Sequence, residues 1–210
     1  MRRDVVDFLG VRNASGFNDL VRVLAGQAGG LVNYSALSSL AGVDVKTVRS
    51  YLEILEQTYV IHIQRPYATN PRKEIRKSPK CPFVDNGLLN AAMGDFSPLE
   101  DSSDPGPLLD NLVVSEISKA TDARTRYWRT TSGAEVDVIV QHPDRVVPIE
   151  VKSVHLRRPV LGRGFRSFLV KYEPERAFIL HRGARFQDKT GKTLVDFLPV
   201  HEGLLLRPWG

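Results

Sequence analysis

The sequence predicts a chain of the α/β (α+β) class, in which an N-terminal winged helix-turn-helix precedes a mixed central sheet flanked by helices. Three observations support this class. Residues 1 to about 64 repeat apolar side chains at helical spacing and contain few helix breakers. Residues 65 to about 105 are rich in proline, lysine and small polar residues. Residues 106 to 210 alternate a helical segment with short runs of valine and isoleucine, which are typical of strands.

The same patterns predict where the domains lie. We expect the winged helix-turn-helix over residues 1–75, a connecting segment over 76–105 and the sheet domain over 106–210. A chain of 210 residues is long enough for one large domain or two small ones.

Composition and charge exclude several classes of protein. With 42% apolar and 25% charged residues, the chain resembles an ordinary soluble globular protein. No apolar run reaches the roughly 18 residues of a membrane span, and no secretory signal is evident at the N-terminus. The single cysteine, Cys81, excludes an internal disulfide framework and fits a cytoplasmic location. The net charge of +5 favours a polyanionic partner, although many basic proteins carry lysines that are only solvated.

The N-terminal stretch has the capping residues of a helix-turn-helix. Asn33 can cap a short helix, Gly42 can end it, and Asp44 can cap the following helix. That second helix carries an apolar face over residues 48–55, and Tyr59–Ile63 then alternates like a strand. Helix, glycine turn, helix and strand is the order of a winged helix-turn-helix, a module that reads DNA but also serves as a rigid spacer or a protein-docking unit.

Basic side chains are the candidates for contact with nucleic acid. They fall on the second helix of the helix-turn-helix, on the proline-rich stretch after it and on a loop that follows residue 152. Such side chains can follow a phosphate backbone, and they can equally be solvated surface. The candidates are Lys46, Arg49, Arg72, Lys73, Arg157 and Arg158.

Charged side chains interrupt two predicted strands that otherwise consist largely of valine and isoleucine, Ala134–Val140 and Val146–Lys152. Because side chains alternate along a strand, Asp137 and Glu150 can lie side by side if the two strands pair as a hairpin. Two adjacent carboxylates repel and need a counter-charge, which Mg²⁺ supplies because it prefers oxygen ligands. The carbonyl of Val151 is a further candidate ligand, and Lys152 can orient an attacking water or balance the charge of a phosphate.

A cross-strand salt-bridge cluster on a solvated sheet face is the alternative interpretation of these charges. The strand order, the turn lengths and the cost of a carboxylate among apolar residues favour the metal site.

These motifs resemble those of a known superfamily. The order helix, strand, Gly133-Ala134-Glu135-Val136-Asp137, turn and Ile149-Glu150-Val151-Lys152-Ser153 resembles the PD-(D/E)XK nuclease superfamily, which includes archaeal Holliday-junction resolvases. Residues 15 to about 170 more closely resemble the C-terminal half of a prokaryotic AAA-type ATPase family, in which a nucleotide-binding module precedes a winged helix and a nuclease-like domain of unknown function. The further matching segments are Lys77–Lys80, Phe83–Leu89 and Gly106–Val113.

The resemblance implies a restriction-endonuclease-like fold for residues 106–210, with Asp137, Glu150 and Lys152 as the nuclease-type residues. It places the superfamily's helix carboxylate, a further catalytic and metal-binding residue, on Asp110, where this family usually has the longer glutamate. Glu116, about two helical turns further on, is the alternative. The implied cofactor is Mg²⁺. ATP is implied only for a module outside this chain, because these residues contain no Gly-x-x-x-x-Gly-Lys-[Ser/Thr] loop.

Two functions follow as expectations. In the first, the chain is the nuclease-like C-terminal module of an AAA-type ATPase family and binds nucleic acid or a partner protein, with a metal site that is either functional or degenerate. In the second, it is an active Mg²⁺-dependent DNA endonuclease or resolvase-type phosphodiesterase. DNA and an N-terminal ATPase module are the expected partners and a membrane is not, while the sequence leaves the oligomeric state open.

Overall fold

The computed structural model describes residues 11, 13–68, 78–102 and 104–210, which form two compact units. The first unit consists of the described residues up to Ile63 together with Ser78–Ser102. The second runs from Gln64 and resumes after Ser102. Most described residues of the predicted connecting segment, 76–105, therefore lie in the first unit, whereas residues 64–68, predicted within the first domain, lie in the second.

Helices dominate the first unit, and side-chain caps fix where two of them begin. As predicted, the Asn33 side chain accepts a hydrogen bond from the Ala36 N–H at 3.1 Å, and Asp44 accepts one from the Thr47 N–H at 3.0 Å. Gly42 ends the first of these helices in the left-handed conformation, at φ 63°. The helices of this unit are α1 (Ala14–Gly26), α2 (Tyr34–Ala41), α3 (Val45–Gln57) and α4 (Asn86–Met93).

Two isolated antiparallel β-bridges accompany these helices. One joins Leu31 to Lys80, and the other joins Ile61 to Phe83. The strand predicted over residues 59–63 is thus reduced to a bridge at Ile61. Tyr59 has a φ of 56°, and this left-handed conformation interrupts an extended strand before it can lengthen.

A mixed sheet of seven strands forms the centre of the second unit, in the order β1-β2-β3-β4-β5-β7-β6. The expectation of a mixed α/β fold with a mixed sheet is confirmed. The strands are β1 (Arg65–Pro66), β2 (Arg124–Arg129), β3 (Glu135–Gln141), β4 (Val146–Val151), β5 (Arg176–His181), β6 (Phe186–Thr190) and β7 (Thr193–Pro199).

The strand directions follow from the connections between them. Short turns join β2 to β3 and β3 to β4, and both pairs are antiparallel. β4 and β5 are parallel, and the crossover between them contains α6 (Arg163–Tyr172), as parallel neighbours require. α5 (Gly106–Ala120) precedes β2, and α7 (Val200–Leu206) follows β7. In the described part of the chain, no helix has both the length and the apolar character needed to cross a membrane.

The apolar face of α6 packs on the sheet. Phe165, Phe168 and Leu169 are buried together with Ile139 of β3 and Ile179 of β5. This packing fixes the position of α6 relative to the strands that carry the predicted site.

The C-terminal tail docks on the sheet through Trp209, whose side chain is only 1% exposed. Its indole lies edge-on to the Phe178 ring, with 6.1 Å between the ring centroids. His142 Nε2 donates a hydrogen bond to the Trp209 carbonyl at 2.8 Å, and Arg145 donates one to the Gly210 carbonyl at 2.9 Å. The tail is therefore a docking segment and not a further strand of the sheet.

Replacing Trp209 with alanine is expected to lower the free energy of unfolding by about 3–5 kcal/mol, because it removes a large buried side chain and leaves a cavity. Urea denaturation followed by circular dichroism measures this change. Leu205→Ala is the control, since Leu205 is 80% exposed and its truncation should cost no more than about 0.5 kcal/mol. Equal losses in the two variants would contradict a structural role for the docked tail.

Candidate functional site

β3 contains a β-bulge where the first carboxylate of the predicted site lies. Arg126 of β2 pairs with Ile139, but Trp128, two residues further along β2, pairs with Val136, three residues back along β3. The extra residue on β3 falls beside Asp137. Bulges of this kind bend the strand and redirect side chains, and they are common next to active sites.

The Asp137 carboxylate continues the pairing of β3 with β4 beyond the last main-chain pair of that ladder. Its Oδ2 atom accepts a hydrogen bond from the Val151 N–H at 2.9 Å. The aspartate therefore holds β4 at the residue that lies between Glu150 and Lys152. This bond brings the predicted Asp, Glu and Lys to one place in the sheet.

Glu150 is the most buried charged group of the predicted site, with only 7% of the residue exposed. Its Oε1 atom accepts a hydrogen bond from the Lys152 ammonium at 2.7 Å, so the two side chains form an ion pair. Among the described residues, no hydrogen-bond partner lies within reach of the other oxygen, Oε2. A buried carboxylate oxygen without a partner is costly, and this one can accept a donor or a cation.

The buried charges shift the pKa values of the pair. Burial, followed by the negative charge of Asp137, raises the pKa of Glu150 to about 7, although Lys152 opposes both effects. Burial alone would lower the pKa of Lys152, but the nearby charges of Glu150, Asp137 and Asp110 outweigh it and raise that pKa. The Lys152 ammonium therefore stays charged, and negative charge surrounds it.

Asp110, the helix carboxylate implied by the resemblance, lies on α5 close enough to Lys152 to act on its charge. The alternative carboxylate, Glu116, lies on the same helix and forms an ion pair with Lys119 at the exposed surface. The structure thus brings Asp110, and not Glu116, into the electrostatic environment of the site.

The start of α6 borders the site from the other side. A side chain at Gly164 would place its Cβ 2.4 Å from the Glu135 carbonyl oxygen, so only glycine lets the helix approach β3 this closely. A Cβ at Gly162 would lie 3.6 Å from Glu150 Oε1. The N-terminal end of α6 therefore lies close to the Glu150 carboxylate, and the positive end of a helix dipole favours negative charge.

The oxygen atoms around Asp137 and Glu150 provide some, but not all, of the ligands that a single divalent cation needs. Within the described residues, no group of three histidine, cysteine, aspartate or glutamate side chains is arranged to hold a metal ion. Two carboxylates, Asp137 and Glu150, and the Val151 carbonyl remain as the oxygen donors. Mg²⁺ is commonly held by one or two carboxylates and keeps several waters, so the unpartnered Glu150 Oε2 fits such an ion.

The predicted nucleic-acid contacts fall in three places. Lys46 and Arg49 are exposed on α3, and the Arg49 guanidinium lies 4.0 Å from the centre of the Tyr34 ring. Arg157 and Arg158 are exposed in the loop between β4 and α6. Two further candidates, Arg72 and Lys73, lie outside the described residues.

One residue next to the carboxylates was not predicted from the sequence. Gln64 is 3% exposed, and its side-chain amide donates hydrogen bonds to the carbonyls of Arg126 and Asp137, at 3.0 and 3.1 Å. Its sequence context, between Ile63 and Arg65-Pro66, is typical of a connection. The polar side chain carries no local signal of burial, because its partners are more than 60 residues away.

Cys81 lies in an environment that disfavours its reactive form. The side chain is buried in the first unit, and burial raises the pKa of its thiol to about 12. The thiolate needed for a nucleophile is therefore scarce at neutral pH.

Comparison with known proteins gives two family matches. Residues 1–99 match a domain of unknown function, DUF8612, and residues 105–202 match a second one, DUF4143. The chain is also similar to two mycobacterial proteins, "Uncharacterized protein Rv2008c" of Mycobacterium tuberculosis (strain ATCC 25618 / H37Rv) and "Uncharacterized protein Mb2031c" of Mycobacterium bovis. Each is 30% identical over 187 residues, which cover 87% of this chain and 42% of the relative. The chain thus spans less than half the length of these relatives, and no solved structure matches it.

The raised pKa of Glu150 predicts a pH-dependent cost to stability. The folded state binds the Glu150 carboxyl proton more tightly than the unfolded state does. The protonated Glu150 therefore adds to the free energy of unfolding below pH 4.5, and this contribution is lost as the pH rises through about 7. Relative to Glu150→Gln, the wild-type free energy of unfolding should fall by on the order of 2–3 kcal/mol over that range.

Urea denaturation at several pH values, without divalent cations, measures this difference. Asp144→Asn is the control, because that carboxylate lies 73% exposed at the β3–β4 turn. If the difference in the free energy of unfolding between the wild type and Glu150→Gln stays constant from pH 4.5 to pH 8, the pKa of the buried Glu150 carboxylate is not raised in the way described.

Proposed function

We propose that this chain is the nuclease-type C-terminal module of an AAA-type ATPase family, and that it binds nucleic acid and holds one divalent cation between Asp137 and Glu150. The observation that carries the proposal is the buried Glu150 carboxylate, which pairs with Lys152 through one oxygen and whose other oxygen has no partner among the described residues. A purely structural ion pair is not stabilised by a second carboxylate beside it, because the negative charge of Asp137 raises the free-energy cost of burying the ionised Glu150.

The order of elements in the second unit supports a nuclease-type core. Helix α5 precedes the antiparallel strands β2, β3 and β4, and a crossover through α6 leads to the parallel strand β5. Asp137 lies on β3, and Glu150-Val151-Lys152 begins on β4 and runs past its end. This is the order and placement that the PD-(D/E)XK resemblance implies.

The first unit supports the winged-helix part of the proposal. α2 and α3 are joined by a short turn through Gly42, as in a helix-turn-helix. The bridges of Leu31 to Lys80 and of Ile61 to Phe83 supply short antiparallel contacts around them, which is how a wing is held. In the proposed winged helix, α3 is the recognition helix, and Lys46 and Arg49 are its exposed basic residues.

The carboxylates and the backbone carbonyl define what a bound cation would contact. Asp137 and Glu150 would hold it together with the Val151 carbonyl, and Asp110 would add negative charge nearby. Such an ion lowers the pKa of a bound water and stabilises charge on a phosphate. Lys152 stays protonated beside Glu150 and can donate to a phosphate oxygen or to the attacking water.

The ATPase context rests on the resemblance and on the length of the relatives. More than half of each mycobacterial relative lies outside the matched region, which leaves room for a further domain. This chain contains no phosphate-binding loop of the Gly-x-x-x-x-Gly-Lys-[Ser/Thr] type, so we assign ATP binding to such a domain and not to these residues.

An active Mg²⁺-dependent DNA endonuclease or resolvase-type phosphodiesterase is the second candidate function. The unpartnered Glu150 Oε2 favours it, because a cation would satisfy that atom. The short side chain of Asp110 and the direct ion pair of Lys152 with Glu150 favour the binding module.

Binding of nucleic acid is expected to depend on the loop between β4 and α6. Replacing Arg157 and Arg158 together with alanine should weaken duplex DNA binding and reduce the slope of log K against log salt by about 2, one for each lost phosphate contact. Fluorescence anisotropy at several salt concentrations measures both quantities. The control replaces Lys189 and Lys192 with alanine, which changes the net charge equally on β6 and the adjoining turn. Equal effects in the two double variants would rule out a specific role for the loop.

Cleavage of DNA separates the two candidate functions. If the chain is an active nuclease, Mg²⁺ or Mn²⁺ will support nicking of supercoiled or branched DNA, and Asp137→Ala will slow it by at least about a hundredfold. Asp144→Ala, an exposed aspartate of the β3–β4 turn, is the matched control. Cleavage that persists unchanged in Asp137→Ala would refute the site, whereas DNA binding without cleavage by the wild type would leave the binding module.

A further inference from the structure

One buried side chain, Gln64, forms hydrogen bonds with two backbone carbonyls at the β-bulge in β3. The Gln64 amide nitrogen donates to the Arg126 carbonyl at 3.0 Å and to the Asp137 carbonyl at 3.1 Å. Buried carbonyls in a sheet are normally paired by the neighbouring strand. Here the register between β2 and β3 shifts after Arg126, and a glutamine from outside both strands donates to a carbonyl of each strand.

We propose that Gln64 is a positioning residue for the carboxylate pair, acting through the backbone of Asp137. This inference rests on the proposed function, in which Asp137 and Glu150 hold a divalent cation. Gln64 acts on the Asp137 backbone carbonyl and not on either carboxylate. It fixes the conformation of the bulge, and the bulge aims the Asp137 side chain at β4.

A chain of three contacts leads from Gln64 to Glu150. Gln64 holds the Asp137 carbonyl, and the Asp137 carboxylate accepts the Val151 N–H at 2.9 Å. Val151 is joined directly to Glu150, so the Asp137 bond fixes the backbone from which the Glu150 side chain projects. Loss of the first contact therefore relaxes the second without removing any predicted metal ligand.

The backbone of Gln64 is itself held in register. The next two residues, Arg65 and Pro66, form β1 and pair in parallel with Arg126 and Tyr127 of β2. Gln64 thus enters the sheet beside the strand that forms one side of the bulge. Its side chain needs only to span from this edge to the two carbonyls.

Glutamine meets this geometry because its side-chain amide has two donor hydrogens and the length to reach both carbonyls. Glutamate at position 64 would present acceptor oxygens to two acceptor carbonyls, and methionine has no donor. Asparagine has the amide but is shorter by one methylene. The exchange of Gln64 for glutamate or methionine therefore removes both hydrogen bonds while keeping nearly the same size.

Hydrogen exchange of single amides, measured by NMR in the absence of metal, tests the positioning role. In Gln64→Met, the Val151 amide, which is held by the Asp137 carboxylate, should exchange faster by on the order of tenfold. The neighbouring Lys152 amide donates to the Leu180 carbonyl at 2.8 Å and should keep its wild-type rate. Gln64→Glu should behave in the same way and carries the test if Gln64→Met does not fold.

The matched control is Thr193→Val in the far part of the same sheet. The Thr193 hydroxyl also donates a buried hydrogen bond to a backbone carbonyl, that of Pro174, at 2.6 Å. Thr193→Val should destabilise the fold without a selective effect on Val151. The positioning role is overturned if the Val151 and Lys152 amides exchange faster to the same extent in Gln64→Met. It is also overturned if the Val151 amide keeps its wild-type exchange rate in that variant.

Binding of Mn²⁺ by isothermal titration separates this inference from the proposed function. Gln64→Met should weaken Mn²⁺ binding by about tenfold or more, as loss of a residue that supports a metal ligand does, while Thr193→Val should leave it within about twofold. Unchanged affinity in Gln64→Met would overturn the positioning role. If the wild type itself binds no Mn²⁺, the proposed metal site fails, and the Val151 exchange rate alone decides whether Gln64 positions Asp137.

Discussion

A carboxylate buried in an apolar sheet beside a second carboxylate is the constraint on which the site depends. Glu150 lies among valine and isoleucine strands, and the charge of Asp137 adds to the cost of its ionisation. The surrounding structure offsets that cost in three ways: an ammonium at 2.7 Å, the nearby N-terminal end of α6, and the Val151 amide that engages the neighbouring aspartate. Within the part of the chain that the structure describes, the Oε2 atom of Glu150 has no hydrogen-bond partner and can accept a further positive group.

The fold of the second unit makes this concentration of charge tolerable. Antiparallel β3 and β4 bring the two carboxylates together, and parallel β5 anchors β4 from the other side. The crossover between β4 and β5 returns the start of α6 to the same end of β4. Gly164 is required for that approach, because any side chain there would collide with the backbone of β3. The metal-site interpretation thus draws on the packing of the whole unit and not only on two short motifs.

The sequence predicted those features whose signals are local. Runs of valine and isoleucine predicted β3 and β4, and capping residues predicted where α2 and α3 begin. The sequence also named the residues that the sheet brings together, because Asp137, Glu150 and Lys152 interrupt otherwise apolar runs. The placement of Asp110 near Lys152 came from the resemblance, since spacing along one helix does not reveal which strand the helix faces.

Features that depend on distant partners were not predicted. The bulge in β3 appears only in its register with β2, and the sequence of β3 by itself carries no signal of it. Gln64 and Trp209 lie in segments that look like connections or tails, yet both are buried by residues more than 30 positions away. The predicted strand at residues 59–63 was too long, because the left-handed conformation of Tyr59 is not encoded by a glycine.

The most direct test of the account is the titration of the Glu150 carboxyl group, followed by ¹³C NMR with and without Mg²⁺. Without the ion, the pKa should be raised to about 7 by burial and by the charge of Asp137. Saturating Mg²⁺ should move that titration to markedly lower pH, and Asp137→Asn should weaken the effect of the ion, because a cation held by both carboxylates stabilises the ionised form. A Glu150 titration that millimolar Mg²⁺ leaves unchanged would contradict the proposal that this carboxylate pair binds a divalent cation.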